Sequence, residues 1–352
     1  MDNDSRVENL SQLRGSSRIE RYTTPDVLEG EQEVETVVGN PLRPLCFADY
    51  PGQQRAKDSL SVYVQAAKTE GKPLDHVLLH GPPGLGKTTL ARIIANELGV
   101  PIIQSSGPSI EKPGDLAGIL AGIEPRTVLF IDEIHRLSSV VEEVLYSAME
   151  DFCLDLIVGQ GPAARSVRMP ISPFTLVGAT TRVSMLTRPL LGRFGIQERL
   201  EFYDEGSLKT IIQRTSKLSG ANIDDDAALE LAKRSRGTPR TANRLFRRVR
   251  DYAVVNGETS IGRQRVQFAL SAMEIDEAGL EPMDRTVLQT ILDRYQGGPV
   301  GIEALSHTIG EDRSTLEDVY EPFLMHRGFI TRGPRGREIT PLGIDHLTSS
   351  NQ

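Results

Sequence analysis

Several short stretches carry residues whose type and order suit phosphate chemistry. GPPGLGKT, residues 81–88, fits the pattern G-x-x-x-x-G-K-[ST] without a mismatch. Gly81, Gly84 and Gly86 let the backbone curl so that its N–H groups face an anion. Lys87 can reach the β- and γ-phosphates of a nucleoside triphosphate, and Thr88 offers a hydroxyl to Mg2+. The helix that follows points its positive end at the same phosphates. TVLFIDE, residues 127–133, closes an apolar strand on Asp132, a carboxylate for the metal shell, with Glu133 beside it to orient or deprotonate the attacking water. An Asp-Glu pair alone says little. On the next plausible strand after a matched phosphate loop, it points to hydrolysis and not to binding alone. GATTR, residues 178–182, follows another apolar strand, and either Thr180 or Thr181 can set a hydroxyl at the γ-phosphate or the water.

Arginines form the next group. RPLLGRFG contains Arg188 and Arg193, and GTPR puts Arg240 at the start of a helix. A guanidinium is valuable where phosphoryl transfer spreads charge over oxygens, although surface ion pairing is the ordinary use of such residues. Near the C-terminal end, FITRGPRGREIT holds Arg332, Arg335 and Arg337 on a glycine-spaced tip, in a chain whose formal net charge is −8. Charge beyond about 8 Å is screened at physiological salt, so local clusters count for more than the total. Gly-spaced arginines without Asn or Gln neighbours suit phosphate contacts that hold for any base sequence. KRSRGTPRTANRLFRRVR is richer in cations, but it contains Arg240 and is assigned mainly to a lid over the nucleotide.

The elements that must position these residues are legible in outline. HVLLH (76–80), PIIQSS (101–106), TVLFID (127–132), FTLVGATT (174–181) and IQERLEF (196–202) alternate with helical stretches such as KTTLARIIANELG. Strand–helix alternation predicts an α/β fold with a parallel sheet. FCLDLIVGQGPAARSVRMP (152–170) reads as a hairpin with Leu154, Leu156 and Val158 on one face. After Tyr203 the strands stop and four helices follow. From Asp276, three helices and a two-stranded ribbon outline a winged helix. The expected divisions are a polar N-terminal extension over 1–40, mostly disordered; a large ATPase domain, 41–203; a small helical lid, 204–275; and a winged-helix head, 276–352.

Composition excludes some classes. The only cysteines, Cys46 and Cys153, match no metal spacing and imply no disulfide framework. A cytoplasmic setting is expected, with no signal peptide and no membrane span. His135 has no partner at ligand spacing and is read as a spacer.

In this order the residues resemble the AAA+ ATPases. LRPLCFADYPGQ, LFIDEIHRL, the GPAARSVR hairpin, RFGIQERLEFY, RGTPRTANRLFRRVRDYA, EDVYEPFL and RGPRGRE narrow the resemblance to the RuvB family, the bacterial motors of Holliday-junction branch migration, over residues 42–343. The resemblance implies homo-hexameric rings on duplex DNA, working with RuvA and RuvC in recombination and repair. It implies that ATP and Mg2+ are held by Gly84, Lys87, Thr88 and Thr89. Leu42, Arg43 and Tyr203 line the adenine side, and Glu150, Asp151 and Phe152 lie near a nucleotide. Beside the catalytic set read from the residues, Asp132, Glu133 and Thr181 with Thr180 as the other candidate sensor, the resemblance makes Arg193 a finger toward a neighbouring subunit's nucleotide and Arg240 a γ-phosphate sensor. It places DNA contacts at Arg332, Arg337 and Arg313, and docks the 152–170 hairpin on RuvA. Other readings are a protein remodeller or clamp loader of the same superfamily, and a DNA-binding regulator that uses ATP as a switch.

Overall fold

Short apolar strands that each feed a helix can return to the same sheet edge only by crossing its face, which makes them parallel neighbours. The computed structural model describes residues 43–158 and 165–349. The expectation for residues 1–40 and the adenine-side residue Leu42 lie outside the described residues. The strands are β1 (Val77–His80), β2 (Ile102–Ser106), β3 (Val128–Asp132), β4 (Cys153–Val158), β5 (Arg165–Pro170), β6 (Thr175–Thr180), β7 (Ile196–Arg199), β8 (Ile330–Gly333) and β9 (Gly336–Ile339). Five of them form a parallel sheet in the order β2-β3-β6-β1-β7.

Side chains alternate between the two faces of a strand, and both faces here are covered. Val77, Leu79, Val128, Phe130 and Val177 pack with helices Gln54–Glu70 and Lys87–Leu98. Leu78, Leu129, Ile131 and Leu176 pack on the other side with helices Pro113–Ala121 and Ser139–Asp151. Burial on both faces explains why these strands read as continuous apolar runs.

Register makes the two ends of the sheet chemically different. His80 lies opposite Thr180 and Arg199, and Asp132 opposite Ser106, so the C-terminal strand ends share one edge. Residues that precede the strands, such as His76 and Gly195, belong to the other edge.

The lid has the four expected helices, Glu205–Leu218, Asp225–Lys233, Pro239–Val255 and Arg263–Ala272. Its buried Leu208, Ile212, Leu231 and Phe246 continue the first core. The head has its own core around Leu288, Ile291, Leu305, Leu324 and Phe329. Its third helical run spans residues 313–326 and contains a π-turn over Leu316–Tyr320. The ribbon β8–β9 follows as expected, and a last helix, Pro341–Ser349, was not anticipated. Its start has a readable signal: the Thr340 hydroxyl accepts from the Gly343 N–H at 3.1 Å, with proline at the first helical position. Among the described residues, no helix is long and apolar enough to cross a membrane.

Candidate nucleotide site and DNA-facing head

The phosphate loop leaves β1 at Gly81 and enters helix Lys87–Leu98. Lys87 is only 8% exposed. Its ammonium donates to the carbonyls of Gly81 (2.8 Å) and Pro82 (2.9 Å), inside the curl of the loop. Burial pushes its pKa down to about 8, although the Asp132 carboxylate works the other way. A buried cation resting on backbone carbonyls fits a phosphate that would replace them.

Gly84 has φ +79°, and a Cβ there would sit 3.1 Å from the Arg240 Cβ. The Arg240 N–H donates to the Gly84 carbonyl at 3.3 Å. The lid therefore closes directly on the loop, and Arg240 keeps an exposed side chain. At Gly86, φ +97°, a Cβ would meet the Tyr50 hydroxyl at 2.7 Å. The hydroxyls of Tyr50 and Tyr203 lie 2.9 Å apart and reach the Leu85 carbonyl at 3.2 and 3.1 Å. Burial pushes Tyr203 up to about 12, so it stays a neutral donor that fixes the loop's back. Tyr203 thus touches the loop itself. Arg43 is half-buried, and its carbonyl accepts from Arg214 of the lid at 3.4 Å.

Thr88 and Thr89 open the helix, both half-buried. The Thr88 hydroxyl lies 3.5 Å from an Asp132 carboxylate oxygen, and the other oxygen accepts from the Glu133 N–H at 2.9 Å. A hydroxyl and a carboxylate meeting across two strand ends are a hard-oxygen pair of the kind Mg2+ takes. Glu133 has φ +47°, a left-handed conformation costing on the order of 1 kcal/mol for a residue with a Cβ. Its carboxylate pairs with Arg136 at 3.1 Å.

On the neighbouring strand β6 the two threonines separate. The fully buried Thr180 hydroxyl accepts from the Arg182 N–H at 2.9 Å and lies 2.9 Å from Nδ1 of His135. Thr181 is half-buried and follows the strand end. His135, read as a spacer, thus has a positioning task. Among the described residues, no cluster of metal ligands includes it.

Arg193 lies elsewhere. It precedes β7, whose Ile196 is level with Val77 at the start of β1. Its guanidinium donates to Glu150 at 2.8 Å and to the Pro189 carbonyl at 2.9 Å, and lies 4.6 Å over the Tyr146 ring. Asp151 pairs with Arg168. Phe152 ends the helix with φ +50° and meets Phe174 edge-on at 6.0 Å. Arg193, Glu150, Asp151 and Phe152 therefore form one group at the N-terminal edge of the sheet. The chain's own phosphate loop is at the other edge, a full strand away, about 13 Å at 3.3 Å per residue.

The hairpin departs from expectation at its base. Leu154 is fully buried in the second core and pairs with Met169 across β4–β5, so it is a packing residue and not a docking one. The side chains of Leu156 and Val158 lie outside the described residues. Val167, the strand partner of Leu156, is exposed.

The winged-helix arginines split. Arg335 is 83% exposed and Arg332 is 49% exposed, the latter 3.5 Å from Glu317 and 3.7 Å from Glu321. Arg337 corrects the sequence reading, which gave it a DNA contact: it is 5% exposed and buried beneath the ribbon. Its guanidinium donates to Glu321 at 2.5 and 3.1 Å and to Glu317 at 3.0 Å. Burial opposes its charge, but the two carboxylates outweigh that and raise its pKa. The physical reason is the pair of carboxylates under the ribbon: Arg337 pairs directly with Arg332, so both side chains share one face, and buried Glu321 with Glu317 draws Arg337 inward. Arg313 is exposed and already holds Glu303 at 2.6 Å and Glu317 at 3.3 Å.

A phosphate loop roofed by a helical lid, an Asp-Glu strand end and a threonine on the adjoining strand define a P-loop ATPase domain of the AAA+ type, here joined to a winged helix. The chain belongs to the RuvB family. Residues 42–200 match the Holliday junction DNA helicase RuvB P-loop domain, residues 203–276 the RuvB AAA lid domain and residues 277–348 the RuvB C-terminal winged helix domain. Holliday junction branch migration complex subunit RuvB proteins of Staphylococcus aureus, strain Newman among them, are 57% identical over 311 residues, covering 88% of this chain and 93% of theirs. The solved structure of Thermotoga maritima RuvB, described as a Holliday junction branch migration motor, is 49% identical with a TM-score of 0.80. It covers 87% of this chain and 98% of that one. A point variant of the same protein superimposes with a TM-score of 0.82.

Proposed function

We propose that this chain is an ATP-driven motor that moves duplex DNA to drive branch migration at Holliday junctions. The observation that carries this is the meeting of Lys87, Thr88 and Asp132 at one sheet edge beneath Arg240, in a chain that also carries a winged helix. Lys87 binds the β- and γ-phosphates in place of the Gly81 and Pro82 carbonyls. Thr88 and Asp132 would hold Mg2+, which when bound neutralises phosphate charge and orients the phosphate oxygens. Glu133 orients and deprotonates the attacking water. Thr180 is committed to His135 and Arg182, so Thr181 is the threonine that meets the γ-phosphate. Arg240 reports the γ-phosphate to the lid.

Arg193 with Glu150, Asp151 and Phe152 serves the nucleotide of a neighbouring copy. A group at the far edge of the sheet cannot reach its own loop, and a head-to-tail ring brings it to the next one. That geometry supports the homo-hexamer. DNA contacts rest on Arg332 and the exposed Arg335, with Arg313 at their side. Arg337 anchors the ribbon. The exposed end of the hairpin face, at Val167, is the part available to a partner such as RuvA. RuvC joins through the same junction complex, and the cytoplasm is the setting.

The test is steady-state ATP turnover with and without duplex DNA at low salt. Wild-type turnover should rise with DNA, and Lys87→Ala should abolish it at both conditions. Normal turnover in Lys87→Ala would remove the phosphate-site assignment.

A further inference from the structure

We propose that Arg182 and Asp318 form a strut that couples the nucleotide site to the winged-helix head, a positioning pair for the motor reading on which this inference rests. Arg182 follows the strand-end threonines of the ATPase domain, whereas Asp318 belongs to the head. The Arg182 guanidinium grips the carboxylate with both arms, Nε to Oδ1 at 2.8 Å and Nη2 to Oδ2 at 2.6 Å. Such a fork fixes direction as well as distance.

The strut is continuous with the chemistry. The Arg182 N–H donates to the Thr180 hydroxyl, which contacts His135 in the turn that begins at Glu133. A run of hydrogen bonds thus leads from the water-activating carboxylate's turn to the head. It ends in the π-turn Leu316–Tyr320, an irregularity often found at functional positions. The residue before Asp318, Glu317, holds Arg313 and Arg337 and lies 3.5 Å from Arg332. One turn of backbone therefore joins the strut to the arginines of the DNA-facing tip.

The head has a second tie of different character. Arg236 of the lid grips Asp284 at 2.7 and 3.1 Å and reaches the Val319 carbonyl at 3.3 Å. Both Arg236 and Asp284 are buried, so this tie is permanent, because opening it would strand a charge away from water. Arg182 and Asp318 keep 28% and 36% of their side chains exposed. Water can take over each partner, so this contact can open and close without unfolding either domain. The fixed tie, flanked by the Arg244–Glu281 ion pair and the Phe202–His326 ring contact at 4.3 Å, and the breakable one together make a hinge whose setting follows the strand-end threonines. By reciprocity, DNA on the head biases the same contact.

The experiment compares the full-length wild-type chain with Asp318→Asn in MgATP turnover, with and without duplex DNA at low salt. Asp318→Asn should keep basal turnover, melting temperature and DNA affinity within about twofold or about 2 °C, while DNA stimulation falls by about fivefold or more. Asp318→Arg should behave likewise, and the exchanged pair Arg182→Asp with Asp318→Arg should recover stimulation. Undiminished stimulation in Asp318→Asn would overturn the strut. A loss that tracks weakened DNA binding or a lowered melting temperature would also overturn it, because the pair would then be merely structural. Absence of stimulation in the wild-type chain would remove the motor reading itself, and the strut with it.

Discussion

Replacing Arg337 by Ala removes the guanidinium that neutralises Glu321 and Glu317. Glu321 is 2% exposed and would keep a charge away from water, with only the longer Arg332 contact at 3.7 Å left beside it. Removing one partner of such a buried pair costs about 3–5 kcal/mol. The head spans residues 277–348, and in a domain of that size each kcal/mol moves the melting point by about 4–8 °C. The transition that includes the head should therefore fall by about 12 °C or more. Arg332→Ala removes two longer contacts of a half-exposed side chain, at 3.5 and 3.7 Å, worth about 1 kcal/mol or less. It should leave melting nearly unchanged but lower the salt slope of DNA binding by about 1. Calorimetry and a salt titration of duplex binding read the two effects separately. If Arg337→Ala melts like wild type and flattens the salt slope as Arg332→Ala does, Arg337 leaves its glutamates for DNA and the anchoring argument fails.

Burial holds Lys87 at about pKa 8, and bound phosphates must raise it, so nucleotide binding takes up a proton above that pH. Affinity should be flat below about pH 8 and fall by up to about tenfold per unit above it; constant affinity to pH 9.5 would refute the assignment. Arg193→Ala should bind nucleotide but not turn it over, and mixing it with Glu133→Gln subunits should partly restore activity. No restoration would place Arg193 at its own protomer's nucleotide. Leu154→Ala should destabilise the ATPase domain by about 2–5 kcal/mol, seen in denaturant midpoints, whereas Val167→Ala should leave stability near wild type and weaken hairpin docking on RuvA. Equal stability of the two variants would contradict the core placement of Leu154.

The nucleotide edge was legible because its signals are local. GPPGLGKT, LFIDE and GATTR each end an apolar strand, and parallel register then brings strand ends together without further information. The four lid helices and the ribbon followed from glycine punctuation in the same way. Depth was not legible. Arg332, Arg335 and Arg337 look alike as a string, and only the buried Glu321 beneath the ribbon draws Arg337 inward. Leu154 shares an alternating pattern with Leu156 and Val158, and a period-2 pattern names a face without saying what covers it. Tyr50, His135 and Asp318 lie inside stretches that carry the resemblance, but nothing in those stretches says what each side chain touches. Their roles arise from contacts between segments far apart in sequence, such as the Tyr50–Tyr203 hydroxyl pair behind Leu85. The proposal of Thr181 over Thr180 likewise rests on the position of His135.

The most direct measurement is branch migration of a synthetic four-way junction by the wild-type chain with RuvA and MgATP, set against Glu133→Gln under the same conditions. The account predicts junction movement with the wild type and none with Glu133→Gln, although both bind nucleotide. Equal movement by the two proteins, or none by the wild type while it hydrolyses ATP, would contradict an ATP-driven DNA motor.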